Sequence, residues 1–167
     1  MPDITKGVIY GHMDIPLAES FAEEKEAILK QIPLTFDAVY SSPSFRCTHL
    51  AAAISPEFRP DEALRELNFG DWEGMTWDAI DRQECDAWMD DFVHLSPPNG
   101  ETMLEMEQRI MKFWEELLKQ PFENVAVVTH GGVIRIILAH YRSIALKDSF
   151  TIEIGIGEVF KVSVSTL

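Results

Sequence analysis

Apolar residues along the chain fall into blocks, and the spacing inside each block predicts a strand or a helix. Val125-Ala126-Val127-Val128-Thr129 is a short, mostly β-branched run with no polar alternation, the pattern of a strand covered on both faces of a parallel sheet. After His130-Gly131-Gly132 the period changes. Ile134, Ile137, Leu138 and Tyr141 recur at helical spacing, which predicts a helix over 132–142. An earlier unit repeats this order. Phe36-Asp37-Ala38-Val39-Tyr40 predicts a short strand, Ser41-Ser42-Pro43 a cap with proline in the first turn, and a helix then runs to about Ser55. Residues 19–31 read as an acidic amphipathic helix ending before Pro33, with Phe21, Ala27, Ile28 and Leu29 as its apolar members. Residues 101–119 form a longer helix with Met103, Met106, Ile110, Phe113, Trp114 and Leu117 on one face.

Between these blocks, Leu64 to Leu67 reads as a short strand and Gly70 to Gly74 as a turn carrying Trp72. Thr76 is expected to cap a helix reaching about Phe92, and Ser96-Pro97-Pro98-Asn99-Gly100 breaks the chain. Phe150, Ile152 and Ile154 alternate, as do Val159 to Val164 after Gly155-Ile156-Gly157, which predicts a terminal hairpin. Strands alternating with helices imply an α/β fold, a three-layer α/β/α sandwich with a mostly parallel sheet. Without repeats or a linker, one domain is expected over 1–167, with residues 71–107 as a helical cap region.

Composition narrows the function. The formal charge of −14 argues against nucleic acid or an anionic membrane as partner. No stretch is apolar enough to span a bilayer, and no signal or transit segment is evident, so the cytoplasm is the expected location. Cys47 and Cys85 have no ligand spacing, and the acids from Asp78 to Asp91 are spread around a helix, so neither a metal nor another cofactor is expected.

The candidate chemistry sits at the ends of the two main strands. His130 falls where a strand meets a helix, at the edge where open α/β sheets bind ligands. The helix N-terminus offers unpaired amides, and the glycines let an anion approach them. Arg46 falls in the first turn of the other helix and carries a fork of donors suited to phosphate oxygens. Glu66 and Glu73 are candidate proton donors. Taken singly, each has an ordinary explanation: a turn histidine satisfied by backbone, an exposed arginine, a solvated glutamate.

Taken together, the runs GHMDIPLAE, FDAVYSSPSFRC, LRELNFGDWEG, NGET and VVTHGGVIR resemble the histidine phosphatase (phosphoglycerate mutase-like) superfamily, in the family's order. YGHMDIPLAESF and SSPSFRC look most like its α-ribazole phosphatase branch, which serves cobalamin biosynthesis. The resemblance implies a hydrolase of small-molecule phosphate esters working through a phosphohistidine. It implies that Arg46 binds phosphate, that Glu66 protonates the leaving group and that His130 contacts the transferring phosphoryl group beside the Gly131 amide. It gives His12 a place at the pocket edge, Trp72 in the pocket wall and Arg109 a structural role. Trp72 and Trp88 are expected to govern which leaving group fits.

One family feature is not found in this sequence. The family's nucleophile is a histidine in an Arg-His run after the first strand, and none of the five histidines here follows an arginine. The first strand is also expected to be absent. A late start of the sequence, at an internal or engineered Met1, is the preferred explanation; a pseudophosphatase that binds phosphate without turnover is the rival. A phosphoglycerate mutase ranks below both, because the chain lacks room for the insertions such mutases carry. A sheet short of a strand leaves an edge open to another copy, so a homo-oligomer is a possible state.

Overall fold

The structure, a computed structural model, describes residues 7–164. Helix α1 (Phe21–Leu29) precedes strand β1 (Ala38–Ser41), helix α2 (Phe45–Ile54) and a two-residue strand β2 (Arg59–Pro60). Helices α3 (Arg82–Asp90) and α4 (Met103–Leu118) lead to strand β3 (Val125–Val128), which runs into helix α5 (Gly131–Arg142). The sheet is parallel in the order β2-β1-β3, with Ala38 opposite Val125 and Ser41 opposite Val128. Parallel neighbours need a crossover, and α2 supplies it between β1 and β2.

Helices cover both faces of the sheet. Val39 and Val128 pack with Cys47 and Ala51 of α2 on one face. Tyr40 and Val127, pointing the other way, meet the larger core formed by Met103, Met106 and Ile110 of α4 with Val133, Ile136 and Ile137 of α5. The expected α/β architecture is thus the observed one. β3 is the outer strand of the described sheet, and its free edge lines a large cleft.

Helix α4 starts where a capping box predicts. The Thr102 hydroxyl accepts from the Glu105 amide, and the Glu105 carboxylate accepts from the Thr102 amide. Four local expectations are corrected. The helix expected from Thr76 begins at Arg82, because the Asp81 carboxylate accepts from the Gln83 and Glu84 amides; Trp77–Ala79 is a separate 3-10 turn. Leu64 to Leu67 is not a strand, since its carbonyls go to side chains of Thr129 and Arg109 instead of a neighbouring ladder. The cap of α2 is Ser44, not Ser41 or Ser42, because the Ser42 hydroxyl accepts from the Ser44 amide and Pro43 lies before the helix. No terminal hairpin forms among the described residues. Glu158 closes a local turn on the Gly155 amide, and Ile154, Phe160 and Val162 pack instead against Leu138, Ala139 and Ile152. No helix among the described residues is long and apolar enough to cross a membrane.

Candidate active site

His130 is the residue before the first turn of α5, and it is 8% exposed. Its Nε2 lies 2.8 Å from the Ser42 hydroxyl oxygen and 3.6 Å from Cys47 Sγ. Burial lowers the His130 pKa to about 3, and the Arg46 guanidinium pushes in the same direction. The imidazole is therefore neutral at physiological pH, with one nitrogen donating and the other accepting. Burial also pushes the Cys47 thiol up to about 12, so it is packing and not a nucleophile.

Arg46 occupies the first turn of α2 and reaches across to the loop before α1. It donates to the Gly11 carbonyl at 2.8 Å and the Met13 carbonyl at 3.1 Å, with its guanidinium 5.3 Å from the Tyr10 ring centre. Two of about five guanidinium hydrogens are so used, and the rest remain for an anion. The same loop is fixed from the other side. The Glu73 carboxylate accepts from the amides of His12, Met13 and Phe69, so Glu73 is a brace. Asp14 accepts from the Phe45 amide at the start of α2.

Glu66 sits on the opposite wall. Its carboxylate accepts from the Gly132 amide at 3.0 Å and from the Leu67 amide at 2.9 Å. A carboxylate suits the positive end of α5. Only glycine allows this approach: a Cβ on residue 132 would stand 2.1 Å from Glu66 Oε1. Behind it, Arg109 of α4 donates to the carbonyls of Ala63, Arg65 and Glu66 while both its Nε and Nη2 engage Glu101. Glu101 in turn accepts from the Asn68 amide. This clamp holds the irregular segment that presents Glu66.

Arg46, Glu66, His130, Gly131 and Gly132 line one cleft of about 1140 Å³, together with Tyr10. His12 is not in its wall. The His12 amide is held by Glu73, and its Nε2 has no partner among the described residues. Trp72 and Trp88 are 4% and 6% exposed and fill the core, and neither lines the cleft, which has Phe69, Trp77 and Phe150 among its aromatic residues. His49, His94 and His140 lie elsewhere, against Phe45, Asp91 and Tyr141. Sequence reading missed Ser42, Tyr10 and the carbonyls that Arg109 holds. Ser42 adjoins a strand end, which is the one signal that could have singled it out. Among the described residues no group of three or more His, Cys, Asp or Glu side chains could hold a metal.

A guanidinium, a neutral imidazole and the residue that opens α5 thus line one cleft at the carboxyl ends of parallel strands, with the Gly132 amide already taken by Glu66. The sequence matches the histidine phosphatase superfamily (branch 1) over residues 3–166, and the chain belongs to that family. It is 28% identical over 165 residues to a protein of Hydrogenobacter thermophilus named provisionally as a phosphoserine phosphatase, covering 92% of this chain and 81% of the relative. It is 31% identical over 142 residues to the adenosylcobalamin/alpha-ribazole phosphatase of Escherichia coli, covering 80% of this chain and 70% of the relative. The crystal structure of the alpha-ribazole phosphatase from Shigella flexneri superimposes with a TM-score of 0.82 at 26% identity, covering 90% of this chain and 79% of that one.

Proposed function

We propose that the chain binds a small-molecule phosphate monoester at this rim, with the machinery of a phosphohistidine-forming hydrolase similar to α-ribazole phosphatases. The convergence of Arg46, His130 and Gly131 on one cleft carries the reading. Arg46 grips phosphate oxygens, and the neutral His130 and the Gly131 amide donate to them, which stabilises charge spreading over the phosphoryl group. In a form supplied with a nucleophile, the bond from phosphorus to the leaving oxygen breaks as the nucleophile bonds to phosphorus, and Glu66 in its protonated form passes its proton to that oxygen. Of the five histidines only His130 lines the cleft, and in this reading it contacts the phosphoryl oxygens, so none of the five is assigned as the group that bonds to phosphorus.

Titration with inorganic phosphate tests the binding site, and a product assay with phosphate esters tests turnover. The chain as it stands is expected to bind phosphate and to release little or no product from any ester. Arg46→Ala is expected to weaken phosphate about 30-fold or more, as for loss of charge-assisted hydrogen bonds. Unchanged affinity in that variant would overturn the site. In a form that does turn over, His130→Ala and Arg46→Ala should each remove most activity.

A further inference from the structure

Three serines where β1 passes into α2 are wholly buried: Ser41, Ser42 and Ser44 are each 0% exposed. A hydroxyl taken out of water costs free energy unless its hydrogen bonds are remade inside the protein. Ser41 donates to the Ser42 carbonyl at 2.7 Å. The Ser42 amide donates to the Val128 carbonyl at 2.8 Å, which ties Ser42 to β3 two residues before His130. The Ser42 Oγ then meets three groups. The Ser44 amide donates to it at 3.3 Å, the Ser44 hydroxyl lies at 3.2 Å, and His130 Nε2 lies at 2.8 Å.

A hydroxyl has one hydrogen and two lone pairs. With the Ser44 amide and hydroxyl as donors to its lone pairs, Ser42 gives its hydrogen to Nε2, the shortest of the three contacts. On the same nitrogen the Cys47 sulfur closes in at 3.6 Å. Among the described residues, Nδ1 is matched only by that sulfur at 3.9 Å, a weak partner. A neutral imidazole carries one N–H, and the bond made by one nitrogen sets which of the two holds it. An Nε2 that accepts leaves the proton on Nδ1. The opposite tautomer would turn a bare lone pair at Nδ1 toward an anion and repel it.

We propose that Ser42 is a positioning residue for His130: its hydroxyl donates to Nε2, holds the imidazole proton on Nδ1 and so makes that N–H the donor to a phosphoryl oxygen. The donor role rests on the phosphate site proposed above, whereas the tautomer can be read without any ligand.

Two-bond proton–nitrogen correlation spectra of the imidazoles report the tautomer, and the signals lost in His130→Gln identify His130. The intact chain at neutral pH is expected to show the Nδ1–H form. Ser42→Ala should convert most of it to the Nε2–H form, with the Cys47 sulfur left as acceptor. By calorimetry the same variant should bind inorganic phosphate about ten-fold more weakly, the scale of one hydrogen bond to a charged group. Ser42→Thr keeps the hydroxyl and should restore the Nδ1–H form and most of the affinity. Ser44→Ala removes the other hydroxyl beside Ser42 and should leave the Nδ1–H form in place. The reading on the parent chain needs no variant, so it decides the matter even if Ser42→Ala does not fold. An Nε2–H form in the parent chain overturns the proposal, and so does an unchanged tautomer in Ser42→Ala. A tautomer that switches with no loss of phosphate affinity overturns the donor role. Failure of the parent chain to bind inorganic phosphate while the Nδ1–H form is present overturns the phosphate site and the donor role with it, but not the Ser42 contact.

Discussion

Arg109→Ala is expected to lower unfolding free energy by about 3–5 kcal/mol, the range for removing one member of a buried ion pair. Arg109 and Glu101 are 23% and 17% exposed in their side chains and joined at 2.6 Å. Alanine leaves the Glu101 carboxylate desolvated without its cation. It also strips donors from the carbonyls of Ala63, Arg65 and Glu66, which no strand can replace. Urea unfolding measures the loss. The double variant Arg109→Met with Glu101→Gln should be less destabilised than Arg109→Ala, since it removes the orphaned charge as well. A change under about 1 kcal/mol in Arg109→Ala would reduce the clamp to an ordinary surface pair.

Acid should destabilise the protein through His130. In the unfolded chain this histidine takes up a proton near 6.5, whereas in the folded protein it resists protonation until about 3. Between those values the unfolded state binds more protons, so stability rises with pH and falls as the solution is acidified. The slope reaches about 1.4 kcal/mol per pH unit for one group. It levels off near pH 3, and above the unfolded value it vanishes. Asp37, Glu62 and Glu105 are held below the usual carboxylate range by hydrogen bonds and act in the same direction. The difference between the wild type and His130→Gln therefore isolates the histidine. Stability curves for the two that run parallel from pH 4 to 6 would mean that His130 is solvated in solution.

Much of this site was legible along the chain. The change of period at His130 and the proline-marked start of α2 placed an imidazole and a guanidinium at strand–helix junctions. What failed were elements held by distant side chains. Leu64 to Leu67 has the composition of a strand, but Arg109 and Thr129, from elsewhere in the chain, take its carbonyls. The tryptophans differ for a related reason: Trp72, Trp77 and Trp88 are alike in sequence, and only packing decides which are core and which line the cleft. Trp72 and Trp88 went inward, and Trp77 was left at the cleft.

Local pattern alone determined that strands alternate with helices and that His130, Gly131 and Arg46 stand at chain reversals, because periodicity and turn chemistry act over a few residues. Only the tertiary structure decided that Ser42 touches His130, that Glu66 rests on the Gly132 amide and that Arg109 holds the segment behind it. Those contacts join residues more than forty positions apart, and each depends on which buried polar group lacks a closer partner.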